Sequence, residues 1–149
     1  LYEPVVEQKA TQYNKTIEDI VSDINTNFIG SINVLKASLQ YLKATQGSFL
    51  LFASSSYTRG RAFYSLYSST KAAVVNFVQA LAEEWEGEGI AINCINPERT
   101  HTPMRTSNFG AEDPATLLDA TNVAKAALAT LLSDVTGQVV DVKVKDFRK

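Results

Sequence analysis

Ser48-Phe49-Leu50-Leu51-Phe52-Ala53-Ser54-Ser55-Ser56 is the stretch that decides the fold. A continuous apolar run of this length, closed by three serines, predicts a β-strand buried on both faces, as in a parallel sheet. Gln46-Gly47 stands just before it and ends a long helix. In that helix Ile20, Ile24, Phe28, Ile32, Leu35, Leu39 and Leu42 recur every three or four residues, which predicts one amphipathic helix over 17–42. Asn27-Phe28-Ile29-Gly30 holds poor helix formers, so a local kink is expected there. Residues 1–16 are polar, carry Pro4 and Asn14, and read as a lead-in segment.

Downstream of the strand, residues 54–64 read as a loop. Val74, Phe77, Val78, Leu81 and Trp85 then form the apolar stripe of a helix over about 65–85, broken by Gly87 and Gly89. Residues 90–95 predict a second strand, 96–114 a long loop, 123–132 a third helix and 138–144 a last strand. The alternation of helix and strand places the chain in the α/β class, with a parallel sheet covered by helices. A length of 149 residues suits one domain.

Composition narrows the function. The net charge of −2 gives no basic face for nucleic acid. The apolar runs are too short to span a bilayer, and Leu1-Tyr2-Glu3-Pro4 does not open a signal peptide. Cys94 is the one cysteine and His101 the one histidine, so neither a disulfide nor a structural zinc site is expected, and no metal is. Cys94 reads as a packing residue in its strand and His101 as a loop residue. A soluble protein of a reducing compartment, the cytoplasm, is the expectation.

In an open parallel sheet ligands bind beyond the carboxyl ends of the strands. The loops 54–64 and 96–114 emerge there. The helix after the first loop opens with Tyr67-Ser68-Ser69-Thr70-Lys71, and the spacing of four puts Tyr67 and Lys71 on one face. A nearby ammonium favours a phenolate and turns an inert phenol into a usable general acid or base. Ser54 closes the first strand thirteen residues before Tyr67, and Asn27 lies twenty-seven before Ser54.

In this order and register Asn27, Ser54, Tyr67 and Lys71 resemble the tetrad of the short-chain dehydrogenase/reductase family. The Asn-x-x-Gly context of Asn27 and the Asn96-Pro97 that follows the next strand also match. The resemblance implies that Tyr67 exchanges a proton with the carbonyl or alcohol oxygen and that Ser54 orients that oxygen. It implies that Lys71 assists Tyr67, that Tyr67 and Lys71 meet the nicotinamide ribose, and that Asn27 supports a water for proton supply. Pro97-Glu98-Arg99-Thr100-His101-Thr102 is similar to the family's Pro-Gly-x-x-x-Thr segment. There Pro97, a backbone group near Thr100 and the Thr102 hydroxyl would hold the nicotinamide carboxamide. Glu98 replaces the usual glycine, so a local difference in that turn is expected.

The family's domain begins with a strand and a Thr-Gly-x-x-x-Gly-x-Gly loop for the dinucleotide phosphates. The glycines at 30, 47, 60, 87, 89, 110 and 137 cannot make such a loop. The resemblance therefore implies the carboxyl-terminal part of a Rossmann-like doubly wound sheet: its last three strands, in a single incomplete domain.

A narrower resemblance is carried by Phe52–Arg61, by Tyr67–Ala73, by Asn96–Thr100, by Thr102–Arg105 and by Asn108–Gly110. It is to the reductase half of bacterial bifunctional proteins that fuse a cytidylyltransferase to a short-chain reductase. It implies reduction of a sugar phosphate such as ribulose 5-phosphate, with NADP favoured over NAD. The resemblance places the residues that would meet the adenosine 2′ position in the amino-terminal part of the family's domain. Arg59, Arg61, Arg99 and Arg105, four of the five arginines, fall in or beside the two loops. Guanidinium groups suit phosphate, and Arg61 and Arg99 are the candidate substrate ligands. The family also implies a homo-oligomer through the helices 17–42 and 65–86. A non-catalytic oligomerisation module of a larger reductase is the alternative function.

Overall fold

The computed structural model describes residues 15–148. Three parallel strands, β1 (Ser48–Phe52), β2 (Ala91–Pro97) and β3 (Val139–Val142), form one sheet in the order β1-β2-β3. Ser48 pairs with Ala91 and Cys94 with Val139, which fixes both registers. The ladder runs on past the strand ends, through Ala53 N–H to the Ile95 carbonyl and Glu98 N–H to the Val142 carbonyl, each 2.9 Å.

Alternation along the strands sends side chains to two cores. Leu51, Ala53, Ile92 and Cys94 face Leu35, Leu42, Val74, Val75 and Val78, which come from α2 (Gly30–Thr45) and α3 (Ser65–Glu84). Ile95 and Val142 face Leu118 and, from α5 (Ala120–Leu131), Val123 and Ala127. The sheet is thus wound on both sides, and α3 and α5 each carry the chain from one strand to the next. Val74, Val78 and Ile92 are sealed from solvent. Each such buried aliphatic contributes about 1.5–3 kcal/mol, which holds α3 firmly on the sheet.

Three local differences from the sequence expectations have physical reasons. Among the described residues β1 is an edge strand, and the packing of α5 reaches Leu50 but leaves Phe52 49% exposed, so the strand is not buried on both faces throughout. The helix expected over 17–42 is α1 (Ile17–Ile24) and α2 joined by a π-helical turn, Asn25–Ile29. That turn is the expected kink. Gly30 N–H reaches back five residues to the Asn25 carbonyl, and a Cβ at Gly30 would lie 3.2 Å from that oxygen. Helix α2 ends at Thr45, with the expected Gln46-Gly47 closing it, and Gln46 takes the left-handed position, with φ 49°.

The long loop after β2 contains a helix of its own, α4 (Pro103–Phe109). Thr102 caps it, Pro103 starts it and Gly110, at φ 75°, ends it. Of the expected lead-in, residues 1–14 lie outside the described residues. Thr16 opens α1 in a capping box, its hydroxyl accepting from Asp19 N–H at 3.1 Å while its own N–H donates to the Asp19 carboxylate at 3.2 Å. No helix among the described residues is long and apolar enough to cross a membrane.

Candidate active site

Helix α3 begins beside the carboxyl end of β1, and this brings Tyr67 and Lys71 to the place where Ser54 leaves the strand. The Lys71 Nζ donates to the Phe52 carbonyl at 2.8 Å and stands 5.7 Å from the centroid of the Tyr67 ring. Burial lowers the Lys71 ammonium below the usual lysine value, and the neighbouring Cys94 offsets part of that shift. The same burial pushes the Cys94 thiol up to about 11, against the pull of the Lys71 charge. Cys94 is therefore a neutral packing residue, as its strand position suggested.

Ser54 is half-buried, and its Oγ accepts from Ser56 N–H at 3.3 Å, capping the short 3-10 turn Ser55–Thr58. Its hydroxyl hydrogen has no protein acceptor among the described residues. Asn27 lies in the π turn, where its carbonyl accepts from Ser31 Oγ at 3.3 Å. The Phe28 ring meets Phe77 of α3 edge to face at 5.9 Å, so the turn that carries Asn27 is packed on the helix that carries Tyr67. π turns recur at functional positions because they reset which side chains face inward.

The second loop closes the site from the β2 side. Pro97 ends β2, the Thr100 hydroxyl donates to the Glu98 carbonyl at 2.9 Å, and Thr102 Oγ1 accepts from Arg105 N–H at 3.2 Å. Glu98, at the expected position of difference, ties the sheet together: its carboxylate accepts from Val144 N–H at 2.8 Å.

The arginines separate into two kinds. Arg59 and Arg61 are exposed, and their side chains form no hydrogen bond or ion pair among the described residues. Arg105 is committed, since its guanidinium grips both oxygens of Glu112, at 2.9 Å for Nη2, and lies 4.5 Å from the centroid of Phe109. Arg99 only grazes that carboxylate at 3.5 Å and is 56% exposed. The sequence assigns no role to Glu112 or Tyr64, and Phe109 enters it only within the resembling segment Asn108–Gly110. Tyr64 stacks on Phe109, with centroids 6.1 Å apart and planes 20° from parallel. The signals were there in part: Glu112 is an acid seven residues past Arg105, across the Gly110 turn, and Tyr64 is an aromatic one helical turn before Tyr67.

Among the described residues no group of three or more His, Cys, Asp or Glu could hold a metal ion. A wide groove of about 1100 Å³ does exist, lined by Ser48, Ala91 and Gly137 among others. It lies at the amino ends of the strands, opposite Tyr67. Ser54, Lys71 and the loop after Pro97 lie at the carboxyl ends, the side on which open parallel sheets bind their ligands.

A family model described as short chain dehydrogenase matches residues 5–113. The chain belongs to that family. It is 56% identical over 136 residues to the bifunctional ribulose 5-phosphate reductase/CDP-ribitol pyrophosphorylase Bcs1 of Haemophilus influenzae, covering 91% of this chain and 29% of that protein. It is 34% identical over 133 residues to the 3-oxoacyl-[acyl-carrier-protein] reductase of Bos taurus, covering 84% of this chain and 56% of that one. Among solved structures, ElxO with NADP bound superposes with a TM-score of 0.76 at 24% identity, over 87% of this chain and 58% of that one. The short-chain dehydrogenase chain thus spans under two thirds of each of these relatives.

Proposed function

We propose that the chain is the catalytic portion of an NADPH-dependent carbonyl reductase, with Tyr67 as proton donor and ribulose 5-phosphate, reduced to ribitol 5-phosphate, as substrate. The observation that carries the chemistry is the ammonium of Lys71, pinned to the Phe52 carbonyl and poised 5.7 Å from the Tyr67 ring. A cation there favours the phenolate that remains once Tyr67 has given its proton to the substrate oxygen. Ser54 donates its unused hydroxyl hydrogen to the same oxygen and orients it. Asn27, at its π turn, supports the water through which Lys71 and Tyr67 recover a proton.

The residues present fit the nicotinamide end of the cofactor: Lys71 and Tyr67 for the ribose, and Pro97, the backbone at Thr100 and the Thr102 hydroxyl for the carboxamide. NADPH bound there would supply the hydride. No segment of the sequence supplies a glycine-rich turn for its phosphates, so the complete reductase holds them with residues outside this chain.

The 56% identity to a ribulose 5-phosphate reductase supports the substrate. Arg61 and Arg99, neither of them locked in a bidentate pair, hold its phosphate. Cytoplasmic NADPH suits such an enzyme. Assembly into a homo-oligomer uses α1, α2 and α3, and Ile17, Val34 and Tyr41 leave large apolar area exposed on the first two.

Steady-state kinetics of the complete reductase tests this reading. Arg61→Ala or Arg99→Ala should raise KM for ribulose 5-phosphate roughly tenfold, the loss of one charge-assisted hydrogen bond. Cofactor affinity should hardly change. Unaltered KM in both variants rejects the phosphate site.

A further inference from the structure

Tyr64 has more support than a loop residue needs. It occupies the cap position of α3, and Ser68 N–H donates to its carbonyl at 2.8 Å, so Tyr64 and Tyr67 share the first turn of one helix. A tight turn delivers it there: Tyr64 N–H donates to the Arg61 carbonyl at 3.0 Å, with Phe63 at φ 65°. Positive φ at a phenylalanine is strained, and such strain persists where the surrounding structure enforces it.

On its other side the Tyr64 ring is stacked on Phe109, Phe109 lies under the Arg105 guanidinium, and Arg105 is gripped by Glu112. The stack joins the loop before α3 to the loop after β2, the two segments that frame Tyr67. All of these contacts hold the ring. The hydroxyl at its tip makes no hydrogen bond among the described residues. Burial raises its proton affinity further than the Arg105 charge lowers it, so it is a neutral donor at working pH.

We propose that Tyr64 is a substrate-contacting residue whose hydroxyl donates a hydrogen bond to a hydroxyl-bearing substrate held at Tyr67. This rests on the reductase reading and deepens it. A polyhydroxylated ketone offers acceptors along its chain where a plain ketone offers none, so Tyr64 distinguishes the two. Glu112 and Arg105 act through it, as positioning residues.

The experiment is Tyr64→Phe in the complete reductase, with NADPH and three ketones: ribulose 5-phosphate, ribulose and 2-pentanone. The ring and its stack survive the substitution, so the melting temperature should not move. The ratio of kcat/KM for ribulose to that for 2-pentanone should fall about three- to tenfold, mostly through KM. Phe109→Leu, which keeps the hydroxyl but removes the stack, should lower the same ratio less. An unchanged ratio in an active Tyr64→Phe enzyme overturns the proposal, as does an equal loss on both ketones with a lowered melting temperature. The underlying reading fails in a different column. A wild type that treats ribulose and ribulose 5-phosphate alike rejects the phosphate site, and one that reduces none of the three rejects the reductase and Tyr64's role with it.

Discussion

Lys71 shows how much one side chain can take from its surroundings. Its spacing from Tyr67 was legible in the sequence, because four residues make a helical turn whatever the helix packs on. Its bond to the Phe52 carbonyl was not, since it exists only once α3 is laid across β1. The commitment of Arg105 to Glu112 was hidden for the same reason. Charges in a sequence announce their sign and not their partners. Two substitutions separate the proposed roles. Tyr67→Phe in the complete reductase should abolish turnover and leave the melting temperature within about 1–2 °C, a shift well under 1 kcal/mol. Retained activity removes Tyr67 from the mechanism. Lys71→Met keeps the packed stem and should lose activity and NADPH affinity together, read by turnover and by nucleotide titration. Full affinity without turnover would cancel the ribose contact.

Elements were legible where their apolar period was long. Seven residues spaced by three and four gave the first helix, and the poor helix formers at 27–30 gave its irregular turn. The π-helical form of that turn followed from Gly30 and its close approach to Asn25, which no period encodes. Helix α4 was missed although Thr102-Pro103 and Gly110 bracket it with capping signals, because its seven residues hold only Met104 and Phe109 as large apolar groups.

What fixes α4 is ionic as well as apolar, and this makes it sensitive to acid. The Arg105 hydrogen bond, with the charges of Arg105 and Arg99, outweighs burial and holds the Glu112 carboxyl below the usual carboxylate range. The unfolded segment therefore takes up a proton before the folded one does. The stabilisation is complete above the ordinary carboxylate pKa, about 4.3, and is lost as pH falls through the lower folded value. Amide exchange should show the protection factors of residues 105–110 dropping below about pH 4. Glu112→Gln should remove that step and leave the protection of α3 untouched. A pH-independent α4 would mean that packing on Phe109 alone secures it.

For the molecule as a whole, the parallel sheet and its covering of helices followed from the alternation of elements and the apolar runs, while the order β1-β2-β3 and the register came only with the structure. The exposure of Phe52 did not, because burial of an edge strand depends on what lies beyond it. The 149 residues alone should show no NADPH-dependent carbonyl reduction and only weak nucleotide binding, since positioning of the nicotinamide carries most of the catalysis and the sequence offers no phosphate turn. Turnover by the purified chain, its length checked by mass, would sink that expectation.

The mooring of Lys71 has a mechanical side. The carbonyl that holds it belongs to the last residue of β1, and the outer side of β1 has no strand partner among the described residues. The ends of open strands breathe at temperatures where the helices behind them are still intact. With each opening the ammonium loses its carbonyl and drifts from the Tyr67 ring. A strand laid along that free side would stiffen the mooring and so keep the ammonium beside the Tyr67 ring without touching either.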